Sequence, residues 1–137
     1  MVGNVYYASY VAWQGRVREM FLKERAPQVL DDINRGLVLV TLNVACEYLH
    51  ELVAFDEVLI ELRLGAMAGS RMTLLFEYWK ISGPEPLLVA KGQQRVGCLR
   101  RHATGGVTAE PIPDYLRDAL TEYVGVQHCL NGKQPYA

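Results

Sequence analysis

Tyr7-Ala8-Ser9-Tyr10-Val11-Ala12-Trp13-Gln14-Gly15-Arg16-Val17-Arg18-Glu19-Met20-Phe21-Leu22-Lys23-Glu24, followed after Gly36 by Val38-Leu39-Val40-Thr41-Leu42-Asn43-Val44-Ala45-Cys46-Glu47-Tyr48, is the stretch on which the fold turns. In its first part Tyr10, Trp13, Val17, Met20 and Phe21 recur every three or four positions, the period of a helix, and Pro27 stands just past the end. Val11, Ala12 and Leu22 lie off the main stripe, so this helix is expected to pack deeply. In the second part Val38, Val40, Leu42, Val44, Cys46 and Tyr48 alternate with a set containing Thr41, Asn43 and Glu47, which predicts one long strand.

Outward from there the strand signal repeats. Val58, Ile60, Leu62 and Leu64 alternate with Leu59, Glu61 and Arg63, and Met72, Leu74, Phe76 and Tyr78 resume the pattern beyond Gly69-Ser70, as a hairpin would. Gly83-Pro84-Glu85-Pro86 forms a turn, and Leu87 to Leu99 reads as a further strand weakened by Gly92 and Gly97. Pro111 and Pro113 precede a short amphipathic helix from Tyr115 to Tyr123. One long helix followed by four antiparallel strands predicts an α+β fold whose sheet wraps one face onto that helix. A single domain is expected over residues 1–124, with a poorly ordered tail over 125–137. The outer sheet face keeps apolar residues, which predicts an oligomer.

Fourteen basic residues nearly balance 15 acidic ones in the 137-residue chain, so no net field draws it onto nucleic acid or an anionic membrane. The first residues have neither a basic leader nor an apolar run, and no segment stays apolar long enough to cross a bilayer; a cytoplasmic location is expected. Cys46, Cys98 and Cys129 are distant from one another and odd in number, and read as free thiols rather than disulfides or zinc ligands.

The general ways of making a nucleophile are missing. Ser70 in Ala68-Gly69-Ser70-Arg71-Met72 lacks the second glycine of a nucleophile elbow. His128 and Cys129 are sequence neighbours whose side chains do not converge, and His50 and His102 have no partner at a metal-ligand spacing. Glu47, Glu51, Glu57 and Glu61 alternate with apolar residues as on a solvated strand face.

The stretch Gly3-Asn4-Val5-Tyr6-Tyr7 leading into the long helix resembles the signature of the 4-hydroxybenzoyl-coenzyme A thioesterase family of hotdog proteins, in which Gly-His-Val-Asn-Asn follows a catalytic acid. Here Asn4 replaces the histidine. Trp13-Gln14-Gly15-Arg16, Arg18-Glu19 and Phe21-Leu22-Lys23-Glu24-Arg25-Ala26-Pro27 are more similar to the polyene thioesterases of enediyne polyketide biosynthesis, and Gly92 to Arg101 looks like that subgroup's last strand. The resemblance implies a hotdog fold without its usual first strand. The subgroup works with an asparagine, a tyrosine and an arginine in place of the acid. Tyr10 and Arg18 match the last two, whereas the asparagine would fall immediately before Met1.

Arg18, Tyr10 and Asn4 are therefore the candidate catalytic residues, with Gly3, Val5, Tyr6, Tyr7, Trp13, Gln14 and Thr41 as candidate substrate contacts. Arg18 has Val11, Gln14, Gly15 and Leu22 as helical neighbours, an unpolar setting in which it would either pair with a carboxylate of another subunit or hold a thioester, β-keto or carboxylate oxygen. Tyr10 fits the core stripe as well as a site. Gly3 and Asn4 suit either a plain helix cap or a turn that aims the N–H groups of Val5, Tyr6 and Tyr7 at an oxyanion. Thr41 would line an acyl channel or face a neighbour.

By the resemblance, a linear polyene β-ketoacyl chain is cleaved by water from the acyl carrier domain of an enediyne polyketide synthase, and decarboxylation yields a methyl ketone or hydrocarbon. No cofactor or metal is implied, and a dimer of dimers is. The alternatives are an acyl-coenzyme A thioesterase and a non-catalytic module that binds acyl chains.

Overall fold

The computed structural model describes residues 7–53, 55–122 and 125–131. Its elements are α1 (Tyr7–Arg25), α2 (Gln28–Asn34), β1 (Leu37–Tyr48), β2 (Glu57–Ala68), β3 (Arg71–Lys80), β4 (Leu87–Arg101), β5 (Val107–Ala109), α3 (Asp114–Glu122) and β6 (Gly125–Asn131). The strands form one antiparallel sheet in the order β1-β4-β3-β2-β6, with β5 also paired to β4. Tyr10, Trp13, Val17 and Phe21 of α1 are buried with Val58, Ile60 and Leu62 of β2, Met72, Leu74, Phe76 and Tyr78 of β3, and Val96 and Cys98 of β4. Each large side chain in that set contributes about 1.5–3 kcal/mol through burial. The α+β reading, the long helix and the hairpin of β2 with β3 all hold.

Three features differ from the sequence reading. The alternation from Val38 to Tyr48 is not one run, because the pairing of β1 with β4 shifts between Thr41 and Asn43. Cross-strand partners share a face, so Thr41, opposite Val96, and Val44 and Cys46, opposite Gln94 and Gly92, all face α1. Val40, opposite Gly97, faces away. The inserted residue lets Val38 and Val40 serve one face, Val44 and Cys46 the other.

The second difference is β6. Gly125–Asn131, within the stretch 125–137 expected to be a poorly ordered tail, pairs with β2 from Glu57↔Asn131 to Leu62↔Gly125. Its backbone groups complete the ladder of an edge strand, a gain that side-chain periodicity does not report. Residues 132–137 lie outside the described residues. Thirdly, the short helix α2 follows directly on Pro27, which starts a new turn as well as ending α1. Gly36 then turns the chain into β1 at φ 105°, where any side chain would collide with the Arg101 carbonyl.

Candidate active site

Tyr10, Gln14 and Arg18 are spaced by four residues and so form one line along α1. That line lies over the seam between β1 and β4. Tyr10 is buried, with its ring 4.8 Å edge-on from Tyr48 and 5.4 Å from Tyr78, and the Tyr78 hydroxyl donates to the Tyr10 carbonyl at 2.6 Å. Gln14, one turn on, donates from Nε2 to the Ala45 carbonyl at 3.1 Å, and its amide occupies the space that a side chain on Gly92 would fill. Gly92 thus leaves a notch in the middle of β4 for a helix side chain to sink into the sheet. The Gln14 Oε1 is buried with no hydrogen-bond donor among the described residues.

Arg18 closes the line. Its Nη1 donates both hydrogens, at 2.9 Å to Thr41 Oγ1 and at 2.9 Å to Gln94 Oε1. Both partners are neutral. No carboxylate forms an ion pair with Arg18 among the described residues, and the Nε and Nη2 donors have no partner there either. Burial lowers its pKa, opposed by the charge of adjacent Glu19, but a guanidinium stays protonated at any physiological pH. A half-buried cation with three N–H donors unused among the described residues, in a fixed plane, is suited to an anionic or developing negative oxygen.

The other titratable groups do not offer a nucleophile. Burial, and then the neighbouring Cys46, Tyr48 and Asp56, push Tyr10 up to about 12, so its phenol remains a neutral donor. Burial also raises Tyr78 and the Cys46 thiol, and it pushes Cys98 up to about 11, leaving both cysteines as inert thiols near neutrality. Among the described residues no cluster of three or more His, Cys, Asp or Glu side chains is arranged to hold a metal.

Of the residues singled out in the sequence, Arg18 and Thr41 touch, and Tyr10 and Gln14 share their line. Trp13 is placed in the core beside Tyr10, 1% exposed, with its indole Nε1 unpaired among the described residues. Tyr7 is the first residue of α1. Gly3, Asn4, Val5 and Tyr6 lie outside the described residues, and with them the proposed oxyanion turn. Gln94 was missed. It sits in the run Ala90, Gly92, Gln94, Val96, Cys98, every member of which is buried, so a polar residue in the apolar register was the available signal.

An antiparallel sheet closed over one long helix, with a polar line at their seam, defines the hotdog architecture. Residues 1–120 match the family model of the thioesterase-like superfamily, and the chain belongs to that family; it is a hotdog-fold thioesterase. Among solved structures it is similar to the dynemicin thioesterase, whose crystal structures are described as revealing induced-fit and allosteric effects upon polyene binding. The identity is 40%, the TM-score 0.80, and the match covers 88% of this chain and 85% of that one. A thioesterase-superfamily protein from Jannaschia sp. CCS1 is 25% identical, with a TM-score of 0.70 over 88% of this chain and 72% of that one. A 4-hydroxybenzoyl-coenzyme A thioesterase mutant in complex with 4-hydroxybenzoyl-coenzyme A shares the fold at 16% identity, with a TM-score of 0.70 over 86% of each chain. No curated protein sequence matches the chain significantly. No helix among the described residues is long and apolar enough to cross a membrane.

Proposed function

We propose that this thioesterase hydrolyses a linear polyene β-ketoacyl thioester carried on the acyl carrier domain of an enediyne polyketide synthase. The observation that carries the reading is Arg18, a cation held by neutral groups at the helix–sheet seam with donors to spare. The 40% identity to a thioesterase described as binding a polyene supports the class of acyl chain.

In this mechanism Arg18 receives the thioester carbonyl oxygen and strengthens its hold as that oxygen becomes an oxyanion. Tyr10, neutral throughout, adds a hydrogen bond or orients the acyl chain. Water adds to the carbonyl carbon, the carbon–sulfur bond breaks, and the carrier thiol leaves with a proton. The β-keto acid released then loses carbon dioxide to give a methyl ketone. With no strong base in the line, rate comes from orientation and electrostatics, and turnover is slow. In this reading Gly3 and Asn4 form the turn that aims the backbone N–H groups of Val5, Tyr6 and Tyr7 at the oxyanion.

A dimer, and a dimer of dimers, completes the proposal. The strand β1 is a 12-residue sheet edge with Leu42, Val44 and Tyr48 exposed, and a second copy would cover it.

The test is mass-spectrometric product analysis with the same β-ketoacyl polyene on a carrier domain and on coenzyme A, for the wild type and Arg18→Ala. Release from the carrier that the substitution abolishes supports the proposal. Faster release from coenzyme A assigns an acyl-coenzyme A thioesterase, and tight binding without release assigns a non-catalytic acyl-binding module.

A further inference from the structure

Gln94 is 3% exposed on the central strand β4, with Leu74 of β3 and Val44 of β1 as its cross-strand partners. Its strand neighbours on the same face are Gly92 and Val96, both buried. Nothing in this setting calls for an amide. A leucine or methionine would fill the position without a polar group to desolvate, and so would serve the fold better. Among the described residues its side-chain oxygen accepts one hydrogen bond, from Arg18 Nη1.

We infer that Gln94 is a positioning residue for the reaction, fixing the Arg18 guanidinium against β4 so that its free edge meets the thioester oxygen. The inference rests on the reading of Arg18 given above. The geometry supplies three steps. Thr41 and Gln94 take both hydrogens of a single nitrogen, which pins the plane of the guanidinium as well as its position. They leave Nε and Nη2, the pair that engages an oxygen pair side by side, without partners among the described residues. The pinning group is an amide rather than a carboxylate, so the cation is held without being neutralised. A glutamate at this position would hold Arg18 equally well and cancel its charge. That distinction separates the inference from a packing role.

The experiment measures kcat and KM for release of a carrier-bound β-ketoacyl polyene by the wild type, Gln94→Glu, Gln94→Met, Arg18→Met and, as a control on the outer face of the same strand, Gln93→Glu. Melting is followed by circular dichroism on each. The expected result is that Gln94→Glu and Gln94→Met melt at or above the wild-type temperature. Their kcat falls about 10- to 100-fold with little change in KM, the size of effect expected from a misplaced or neutralised group. Gln94→Glu regains rate relative to the wild type as the pH falls and the introduced carboxyl takes a proton. Gln93→Glu stays at the wild-type rate.

Wild-type kcat in both Gln94 variants, with Arg18→Met inactive, overturns the positioning role and leaves Arg18 intact. Loss of folding in both Gln94 variants also overturns it, because the amide then serves the sheet. Full activity of Arg18→Met removes the reading on which the inference stands, whatever the Gln94 variants do.

Discussion

Two arginines meet at the described sheet, Arg18 reaching it from α1 and Arg100 standing on β4 itself, and they are used in opposite ways. Arg100, on β4, is gripped by Glu110 through Nε and Nη2 and by Asp32 through Nη1 at 2.9 Å, while Nη1 also donates to the Arg35 carbonyl. Tyr115 of α3 donates to the other Asp32 oxygen at 2.8 Å. Hydrogen bonds donated to Glu110 and Asp32 raise the pKa of Arg100, whereas burial lowers that of Arg18. Every guanidinium nitrogen of Arg100 is engaged in tying α2, β4 and the segment before α3 together. Among the described residues Arg18 is bonded only to an alcohol and an amide. A neutralised arginine holds a fold, and an un-neutralised one, at a cost in desolvation, is available to a ligand.

The largest expected effects would break this comparison outright. Arg18→Ala lowers kcat/KM about 100- to 1000-fold, the scale of losing one oxyanion donor, and lowers the melting temperature less than loss of the ion-paired Arg100 does. Arg100→Met does the reverse, lowering the melting temperature while the folded fraction keeps its turnover. Steady-state kinetics paired with thermal melting reads both, and the comparison fails if the two variants lose the same property.

A smaller effect tests whether the line through Tyr10, Gln14 and Arg18 is one construction. In Gly92→Ala the new methyl group takes the space of the Gln14 amide, so the side chain must leave its bond to the Ala45 carbonyl. A displaced buried amide costs about 1–3 kcal/mol, measurable as a lowered urea midpoint with unchanged slope. Restored stability in Gly92→Ala with Gln14→Ala would show that the clash, and not the strand, bears the cost.

Smaller again is Thr41→Val, which keeps shape and removes one acceptor from Arg18. One hydrogen bond from a charged donor is worth about 1.5–3 kcal/mol, but Gln94 still holds the same nitrogen and only part of the loss reaches the transition state, so kcat falls about three- to ten-fold. A loss as large as that of Arg18→Ala would mean that Thr41 touches the substrate itself.

Much of the architecture was legible because α1 and the strands β2 and β3 bury one face each, and one-sided burial writes its period into the sequence. The bulge in β1 was not, because both faces of that strand are apolar and an inserted residue leaves Val38, Val40, Val44 and Cys46 in the same alternation. The strand β6 escaped because Gly125, Gln127 and Asn131 dilute the pattern while the backbone does the pairing. At the site, the setting of Arg18 among Val11, Gln14, Gly15 and Leu22 already marked a cation with no carboxylate one helical turn away. Gln94 and Gly92 acquire their roles only when α1 is laid across β1 and β4, a juxtaposition of residues separated by 76 positions in the case of Arg18 and Gln94.

The subtlest contrast between the two arginines is their response to acid. Asp32 has its carboxyl held below the ordinary value, first by the hydrogen bond from Arg100, with Tyr115 adding to it and burial opposing. A depressed carboxylate stabilises the fold fully above its unfolded value, about 3.9, and loses that contribution as the pH falls through the folded one. The stability difference between the wild type and Asp32→Asn should therefore be constant near neutrality and vanish below the ordinary carboxylate range. No such acid limb belongs to Arg18, whose neutral partners do not titrate there. Nor should activity inflect near the ordinary tyrosine value of about 10, since Tyr10 keeps its proton up to about 12. Urea unfolding and kcat measured across the same pH series separate the two: an acid step in stability through Asp32 with no matching alkaline step at 10 in rate keeps the arginines distinct. A rate that falls at 10 would make the Tyr10 phenol more exposed than its packing against Tyr48 and Tyr78 allows.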